Sequence, residues 1–436
     1  MKQKLIVRVF AVILALLLTG SVLAGVVSSV SAAESSQTPA QKTAAAMQPG
    51  WNLGNALDAF GNWEGAVTSE TVWGNPPTTR EMIQKIAADG FKSVRIPITW
   101  EPRTEGAPDY TIDPAFMERV AEIVNWCLEE DLYVMINLHH DSSIWLNQMT
   151  VNYDQAMKRF KAYWEQIADY FKDYPDKLLF ESINEPFMEL MWSDVPRETL
   201  QAYTNDLNDA FYQIVRHSGG NNAERILVLP TTSTDNDQAI CDSLYGYISS
   251  LPDADRIIAT VHYYGPWVFQ DQHEGYEQVN EAVIAQMETE LNRPYQTFMQ
   301  NGIALIIGEY GLLYHQDKVS DPQKQQDWFE AFLSYCHDRQ ITHMIWDDGG
   351  CIGNIMDRNT LERRHPEIYQ LVMEYAGNSS NGDINGDGKV TLADLMLALQ
   401  AAAGKLSLNS QQLAAGDLNG DQSITIVDLS MMLLLL

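Results

Sequence analysis

The sequence predicts an α/β chain: a (β/α)8 TIM barrel followed by a small all-α module built on a duplicated calcium loop. Three observations carry this. Short apolar, β-branched runs alternate with helical patterns eight times. The first and last runs begin 292 residues apart, seven intervals of about 42, which suits β/α units with extended loops. A 12-residue acidic pattern near the C-terminal end occurs twice, 34 residues apart. An open doubly wound sheet would more often carry a Gly-rich phosphate turn after its first strand, and none follows here.

The 436-residue chain has 58 acidic and 28 basic side chains, a formal charge of −30. That charge repels phosphate backbones and anionic headgroups, which argues against nucleic acid or a membrane surface as partner. Apolar residues make up 45% and charged residues 20%, enough for a core and inconsistent with wholesale disorder. Cys127, Cys241, Cys336 and Cys351 form no CxxC pair and read as buried small hydrophobes.

Taking the elements in order, Lys2, Lys4 and Arg8 precede an apolar run at 9–18, and the segment closes on Val30-Ser31-Ala32-Ala33. Basic, then apolar, then small is the order of a secretory signal peptide, read here as residues 1–33. Gly20, Ser21 and Gly25 interrupt the run short of a membrane span. Cleavage removes three positive charges and no acidic one, so −30 becomes −33 in a protein expected outside the cell. Residues 34–48 read as a Ser/Thr/Ala/Gln leader.

The barrel is expected over 49–376. Its strand signals are 50–53, 91–98, 132–138 and 178–183, then 226–229, 257–261, 303–307 and 342–346. Helical patterns lie between them at 79–89, 113–129, 153–171, 199–217 and 321–339. Polar and aromatic residues gather just past the carboxyl ends of the strands: His139-His140-Asp141, Asn184-Glu185, His262-Tyr263-Tyr264, Glu309-Tyr310 and Trp346-Asp347-Asp348. In this fold those ends converge on one face, where sites are built.

Glu185 and Glu309 each follow a buried run, and the two are read as lying at adjacent parts of the rim. One ionised and one protonated carboxyl are what hydrolysis of a glycosidic bond requires. No pair of histidines with a carboxylate at metal-binding spacing stands out, and the active site is expected to be metal-free.

After a short linker at 377–381, the module at 382–436 contains the repeat. Its oxygen ligands would be Asp383, Asn385, Asp387, the Lys389 carbonyl and Asp394, then Asp417, Asn419, Asp421, the Ser423 carbonyl and Asp428. Those are positions 1, 3, 5, 7 and 12 of a calcium loop. Gln422 replaces the glycine at position 6 of the second loop, so that site is expected to bind more weakly.

The segments Gly50 to Asn55, Gly90 to Pro97, Asn137-Leu138-His139-His140-Asp141, Asn184-Glu185-Pro186, His262-Tyr263-Tyr264 and Gly308-Glu309-Tyr310-Gly311 together resemble glycoside hydrolase family 5, the family of many cellulases. The resemblance implies a retaining endo-β-1,4-glucanase acting on a β-1,4-linked polysaccharide. Xyloglucan, mixed-linkage glucan or mannan are the alternative polymers, and a catalytically silent carbohydrate-binding scaffold component is the alternative of another class, against which the presence of both Glu185 and Glu309 counts. The resemblance implies Glu185 as general acid/base and Glu309 as nucleophile, with Asn184 bonding the adjacent sugar hydroxyl. Arg95 and Tyr264 would hold and ionise Glu309, and His139, His140 and His262 would line the cleft. Trp346 would form a floor under the reacting sugar. His139 and His140 alternate on an extended segment, so one of them is expected to reach substrate. Trp73, Trp145, Trp267 and Trp346 occupy loop or rim positions suited to stacking on sugars, and Trp126 and Trp164 read as core. Asp348 stands where many relatives have Asn.

The C-terminal repeat resembles a type I dockerin. That implies structural Ca2+ and a cohesin domain of a scaffoldin as partner, hence a secreted, cellulosome-associated protein. Loop positions 10 and 11, Leu392-Ala393 and Ile426-Val427, would face the cohesin. Leu392, Leu395, Met396 and Leu399 form one helical stripe, most of it expected to be core.

Overall fold

The segment read as a leader contains a capped helix. The Thr38 hydroxyl accepts from the Gln41 N–H, the Gln41 side chain accepts from the Thr38 N–H, and Pro39 takes the first helical position. Helix α1 (Pro39–Ala46) follows. Ala40, Ala44 and Met47 pack against Met135, Leu179, Val228, Ile258 and Met344, plugging the lower end of the barrel. Thr342 Oγ1 and Ser93 Oγ donate to the carbonyls of Ala44 and Met47, each at 2.6 Å.

The computed structural model describes residues 37–266, 278–312, 322–350, 355–376, 382–385, 390–408, 410–418 and 423–436. The signal-peptide segment, Trp267, Cys351, the 377–381 linker, Asp387, Lys389, Asn419, Asp421 and Gln422 lie outside them. One compact unit is Thr38–Val372, and a second contains Met373–Leu436.

In the first unit the order is β1 (Gly50–Asn52), α2 (Arg80–Ala88), β2 (Ser93–Ile96), α3 (Pro114–Glu129), β3 (Tyr133–Ile136), α4 (Tyr153–Phe171), β4 (Leu178–Glu181) and α5 (Arg197–His217). It continues through β5 (Leu227–Pro230), α6 (Gln238–Ser249), β6 (Ile257–Tyr263), α7 (Glu281–Thr297), β7 (Ala304–Tyr310), α8 (Pro322–Asp338), β8 (Thr342–Ile345) and the start of α9 (Pro366–Ala376), whose residues from Met373 on belong to the second unit. The eight strands form a closed parallel barrel in sequence order. Closure pairs Gly50 with Met344 and Trp51 with Ile345. A Cβ at position 50 would lie 2.5 Å from Met344 Cγ, so only glycine lets the first and last strands meet there.

The helices bury the faces their periodicity dictates. On α4, Phe160, Tyr163, Trp164, Ile167 and Phe171 are all buried, a three-to-four-residue spacing that turns one stripe toward the sheet. Trp164 is core as expected. Trp126 is not: it is half-buried beneath the guanidinium groups of Arg80 and Arg119.

One irregularity positions chemistry. The β6–β7 register shifts between Val261 and His262, placing His262 opposite Glu309. The β7–β8 register shifts between Ile307 and Tyr310. The bulge runs through Gly308, where a Cβ would lie 2.7 Å from Thr260 Oγ1, and Asn52 Nδ2 donates to its carbonyl at 3.0 Å. Bulges of this kind re-aim a side chain at the rim of a barrel.

The second unit holds α10 (Leu392–Ala402), α11 (Ser410–Gly416) and α12 (Ile426–Met432) around Ile384, Ala398, Ile424, Leu429 and Met432. The stripe expected to be core is mostly exposed: Leu392, Met396 and Leu399 face solvent, and of the four only Leu395 packs on the core. The buried line of α10 runs through Asp394 and Ala398 instead.

Candidate active site

Arg95 rises from β2 into the centre of the barrel mouth with no exposed surface. Its Nε donates to Glu181 Oε2 at 2.8 Å, Nη1 to Glu309 Oε1 at 2.6 Å and to Asn52 Oδ1 at 3.1 Å, and Nη2 to Asn184 Oδ1 at 2.7 Å. One rigid fork thus fixes Asn52 on β1, Glu181 on β4, Glu309 on β7 and Asn184 just after β4. Tyr264 donates its hydroxyl to Glu309 Oε2 at 2.9 Å. Burial and the nearby Glu309 and Glu185 hold the Tyr264 phenol well above its ordinary range, so it remains a donor.

Arg95 and Tyr264 both reach Glu309, but the net effect on its pKa differs from the sequence expectation. Burial pushes the carboxyl above its ordinary value, and His262, Arg95 and the Tyr264 hydrogen bond offset this only in part; Glu185 adds to the rise.

Glu185 stands on the turn after β4 with φ +39°, and Phe187 two residues on has φ +64°. A non-glycine residue held left-handed is strained backbone, the kind that clusters where a side chain must be aimed. Its Oε1 lies 2.9 Å from His262 Nδ1, which is also 3.5 Å from Glu309 Oε2. One oxygen of each glutamate and a nitrogen of His262 fall within 4.8 Å of one another. The two glutamates come from β4 and β7, which β5 and β6 separate, and closure of the barrel brings their side chains together at the rim.

His139 is buried and its ring stacks on Trp346, centroids 5.7 Å apart and planes within 7°. Burial, then His140, Arg95 and His262, drive its pKa far down, so it stays neutral. His140 does not alternate away from it. The chain turns helical at His140 (φ −74°, ψ −1°), and the two rings meet edge to face at 4.5 Å. His140 Nε2 lies 3.5 Å from Asp58, and its side chain stays partly exposed. Asp58, His139 and His140 bring donor atoms within 4.8 Å, as do Glu185, His262 and Glu309; sequence spacing revealed neither cluster.

A profile of the family described as Cellulase (glycosyl hydrolase family 5) matches residues 55–350, a span containing every residue of this constellation except Asn52. The chain belongs to glycoside hydrolase family 5. A second profile, the dockerin type I domain, matches residues 381–433. This family 5 chain is 39% identical to Endoglucanase B of Paenibacillus lautus over 85% of its own length and 64% of that relative's. It is 34% identical to Endoglucanase B of Clostridium cellulovorans over 81% of each. Among solved structures it resembles the tri-modular endo-β-1,4-glucanase B of Bacillus halodurans, with 44% identity and a TM-score of 0.72 over 77% of this chain and 61% of that one. A broad-specificity endoglucanase from Ruminococcus champanellensis with bound cellotriose has 32% identity and a TM-score of 0.69 over 78% and 99%. The chain therefore spans less than two thirds of some of these relatives.

The other rim aromatics of this family 5 chain divide. Trp346 is nearly buried, its ring against Gly54. Trp145 is also buried, its Nε1 donating to Asp141 at 2.8 Å and its ring under the Arg159 guanidinium. Trp73 packs edge-on against His140 with its Nε1 on the Phe60 carbonyl. Trp192 was missed from sequence: it is 77% exposed beside a cleft of about 280 Å3 that Glu185, His262 and Tyr264 also line. The extra carboxylate, Asp348, accepts from the Gly350 N–H at 2.8 Å and so shapes the turn after β8. Cys127, Cys241 and Cys336 are buried free thiols.

In the dockerin unit the two position-12 carboxylates are alike. Asp394 accepts from Asn385 N and from both Thr391 N and Oγ1, at 2.9 Å each. Asp428 accepts from Leu418 N, Thr425 N and Thr425 Oγ1 at 2.7 to 2.9 Å. Burial opposes ionisation of Asp394, but these bonds outweigh it and its carboxyl stays below the ordinary value. Asp383, Asn385, Asp417 and Ser423 are the other described loop positions.

Proposed function

We propose that this chain is a secreted, cellulosome-associated endo-β-1,4-glucanase that hydrolyses its polysaccharide with retention of configuration. The observation that supports the mechanism is the closeness of Glu185 and Glu309: an oxygen of each lies within 4.8 Å of the other, and both approach the same His262 nitrogen. A pair that close suits direct attack, at roughly 5 to 5.5 Å between carboxyl groups, whereas an inverting pair needs roughly 6.5 to 9.5 Å to admit a water. Glu309, held at Oε1 by Arg95 and at Oε2 by Tyr264, attacks the anomeric carbon. Glu185 gives its proton to the leaving oxygen, and the sugar is left esterified to Glu309. Glu185 then takes a proton from water, the water oxygen bonds to the anomeric carbon, and Glu309 departs as a carboxylate. The Asn184 carbonyl oxygen is taken up by Arg95, which turns its NH2 toward the sugar hydroxyl beside the reacting carbon. Neutral His139 and Trp346 form a stacked wall under the reacting sugar.

The dockerin loops supply hard oxygen donors in calcium-loop order, and the buried, ionised Asp394 is the kind of ligand a divalent cation takes. When bound, Ca2+ would neutralise carboxylates that otherwise repel one another. Leu392 and Met396 on α10 and Ile426 on α12 are exposed apolar side chains on a small domain, fitting a cohesin that buries them.

Proton NMR of the first product from a soluble β-1,4-glucan tests the mechanism. A β-anomer appearing first is expected; an α-anomer would overturn retention and the role of Glu309. Reducing-sugar release across cellulose derivatives, xyloglucan, mixed-linkage glucan and mannan ranks the polymers.

A further inference from the structure

We propose that Glu181 is a positioning residue: the standing counterion of Arg95, which lets Glu309 lose its charge in mid-reaction without leaving a buried cation unpaired. Glu181 is the last residue of β4 and is fully buried. Its Oε2 receives Arg95 Nε at 2.8 Å and Asn137 Nδ2 at 2.7 Å. Arg95 is its ion-pair partner among the described residues. With no exposed surface it meets the reaction through the groups it bonds, the Arg95 guanidinium carrying the charge and Asn137 reaching on to His139, and not through substrate.

The argument is charge accounting through one turnover, and it rests on the retaining mechanism proposed above. In the free enzyme one cation, Arg95, faces two carboxylates, Glu181 and Glu309. When Glu309 bonds to the anomeric carbon, the bond to the leaving oxygen breaks and that oxygen takes the proton of Glu185. Glu309 is now a neutral ester, and Arg95 retains one partner. Without the charge of Glu181 the free enzyme would hold a balanced pair, and the ester would strand a buried guanidinium, which is strongly unfavourable. The charged state of Arg95 is opposed by burial and restored by Glu181 first and Glu309 second, the order this role requires.

Removing the charge therefore penalises one side of the covalent intermediate only. Forming the ester becomes slower, and breaking it, which restores the Glu309 anion beside Arg95, becomes faster. A side chain that merely supports the fold would slow both.

The test uses a 2-deoxy-2-fluoro-β-cellobiosyl fluoride with the full chain, following ester formation by intact-protein mass and its breakdown after removal of excess reagent. For Glu181→Gln, trapping is expected to slow by roughly tenfold or more while reactivation accelerates. Glu181→Asp keeps the charge but withdraws it from Arg95 by one methylene, so it should shift both rates the same way by less. That variant also serves if the glutamine protein does not fold. Equal slowing of both steps, or unchanged rates in either folded variant, overturns the proposal. If wild type forms no adduct at all, the retaining mechanism fails instead.

Discussion

His262, near the end of β6, holds its Nδ1 2.9 Å from Oε1 of Glu185, which stands on the turn after β4, with β5 between the two strands. The same nitrogen is 3.5 Å from Glu309 Oε2, so one imidazole edge sets the spacing of both carboxyl groups. Its position depends on the bulge in β7, because only the shifted register puts His262 opposite Glu309.

Replacing that edge with an apolar ring should therefore disorient the proton donor more than the nucleophile, which keeps Arg95 and Tyr264. His262→Phe is expected to lower kcat/KM on a polysaccharide by on the order of 10²-fold, the range of a lost general acid. On an aryl glycoside with an activated leaving group the loss should be much smaller, because that bond breaks without a proton. Steady-state kinetics on both substrates check this, and Glu185→Ala should show the same contrast.

The raised pKa of Glu309 makes a prediction about stability. Burial lifts the folded-state value above that of the unfolded chain, so the folded state binds the extra proton between the two. Stability from this group is present below the unfolded value, about 4.5, and is lost as pH rises through the folded value. Glu309→Gln removes the titration. The variant should gain stability over wild type as pH goes from about 4 to about 7, while losing turnover. Urea unfolding of the two proteins at both pH values measures it; a gap that narrows toward neutral pH contradicts the burial argument.

Much of the barrel was legible because strand runs are apolar and short and the proposed catalytic groups follow them directly: Glu185 and Glu309 are visible from their positions alone. Glu181 was not, since a glutamate within a strand run gives no sign of facing Arg95 until β2 and β4 share an interior. The shared hold of His262 on both glutamates was not visible either, being a property of closure and of the β7 bulge and not of sequence order. Helix α1 escaped because alanines at 40 and 44 give almost no amphipathic contrast. Helix α7 carries Pro294 within its span, which reads as a breaker. His140 was misplaced because a strand end and a helical turn look alike over two residues.

Helix α1 yields a prediction of its own. Met47 is fully buried against the lower barrel, so Met47→Ala should cost about 2–5 kcal/mol, as a large-to-small change in a packed core does. Thr38→Ala, which removes the capping box, should cost about 1 kcal/mol. Both are read from urea midpoints, and losses near zero would mean that the segment is a dispensable leader after all.

The duplicated loops allow a prediction about inequality. Their described halves match closely: Asp394 and Asp428 each cap a helix through the threonine three residues before and reach back to the start of the loop. The difference lies at position 6, where Gly388 of the first loop is answered by Gln422 of the second. That position carries the sharp turn of a calcium loop, and a side chain there is strained in the conformation glycine adopts freely. Calorimetric titration of the calcium-free full chain should resolve two sites, the weaker abolished by Asp428→Ala and the tighter by Asp394→Ala. Because the unit's core is small, ion binding and folding should be coupled, and a chelator should release a bound cohesin while leaving hydrolysis of a soluble glucan intact. Equal sites, or a tighter second one, would show that position 6 does not govern affinity here; loss of hydrolysis on chelation would place a cation in the barrel.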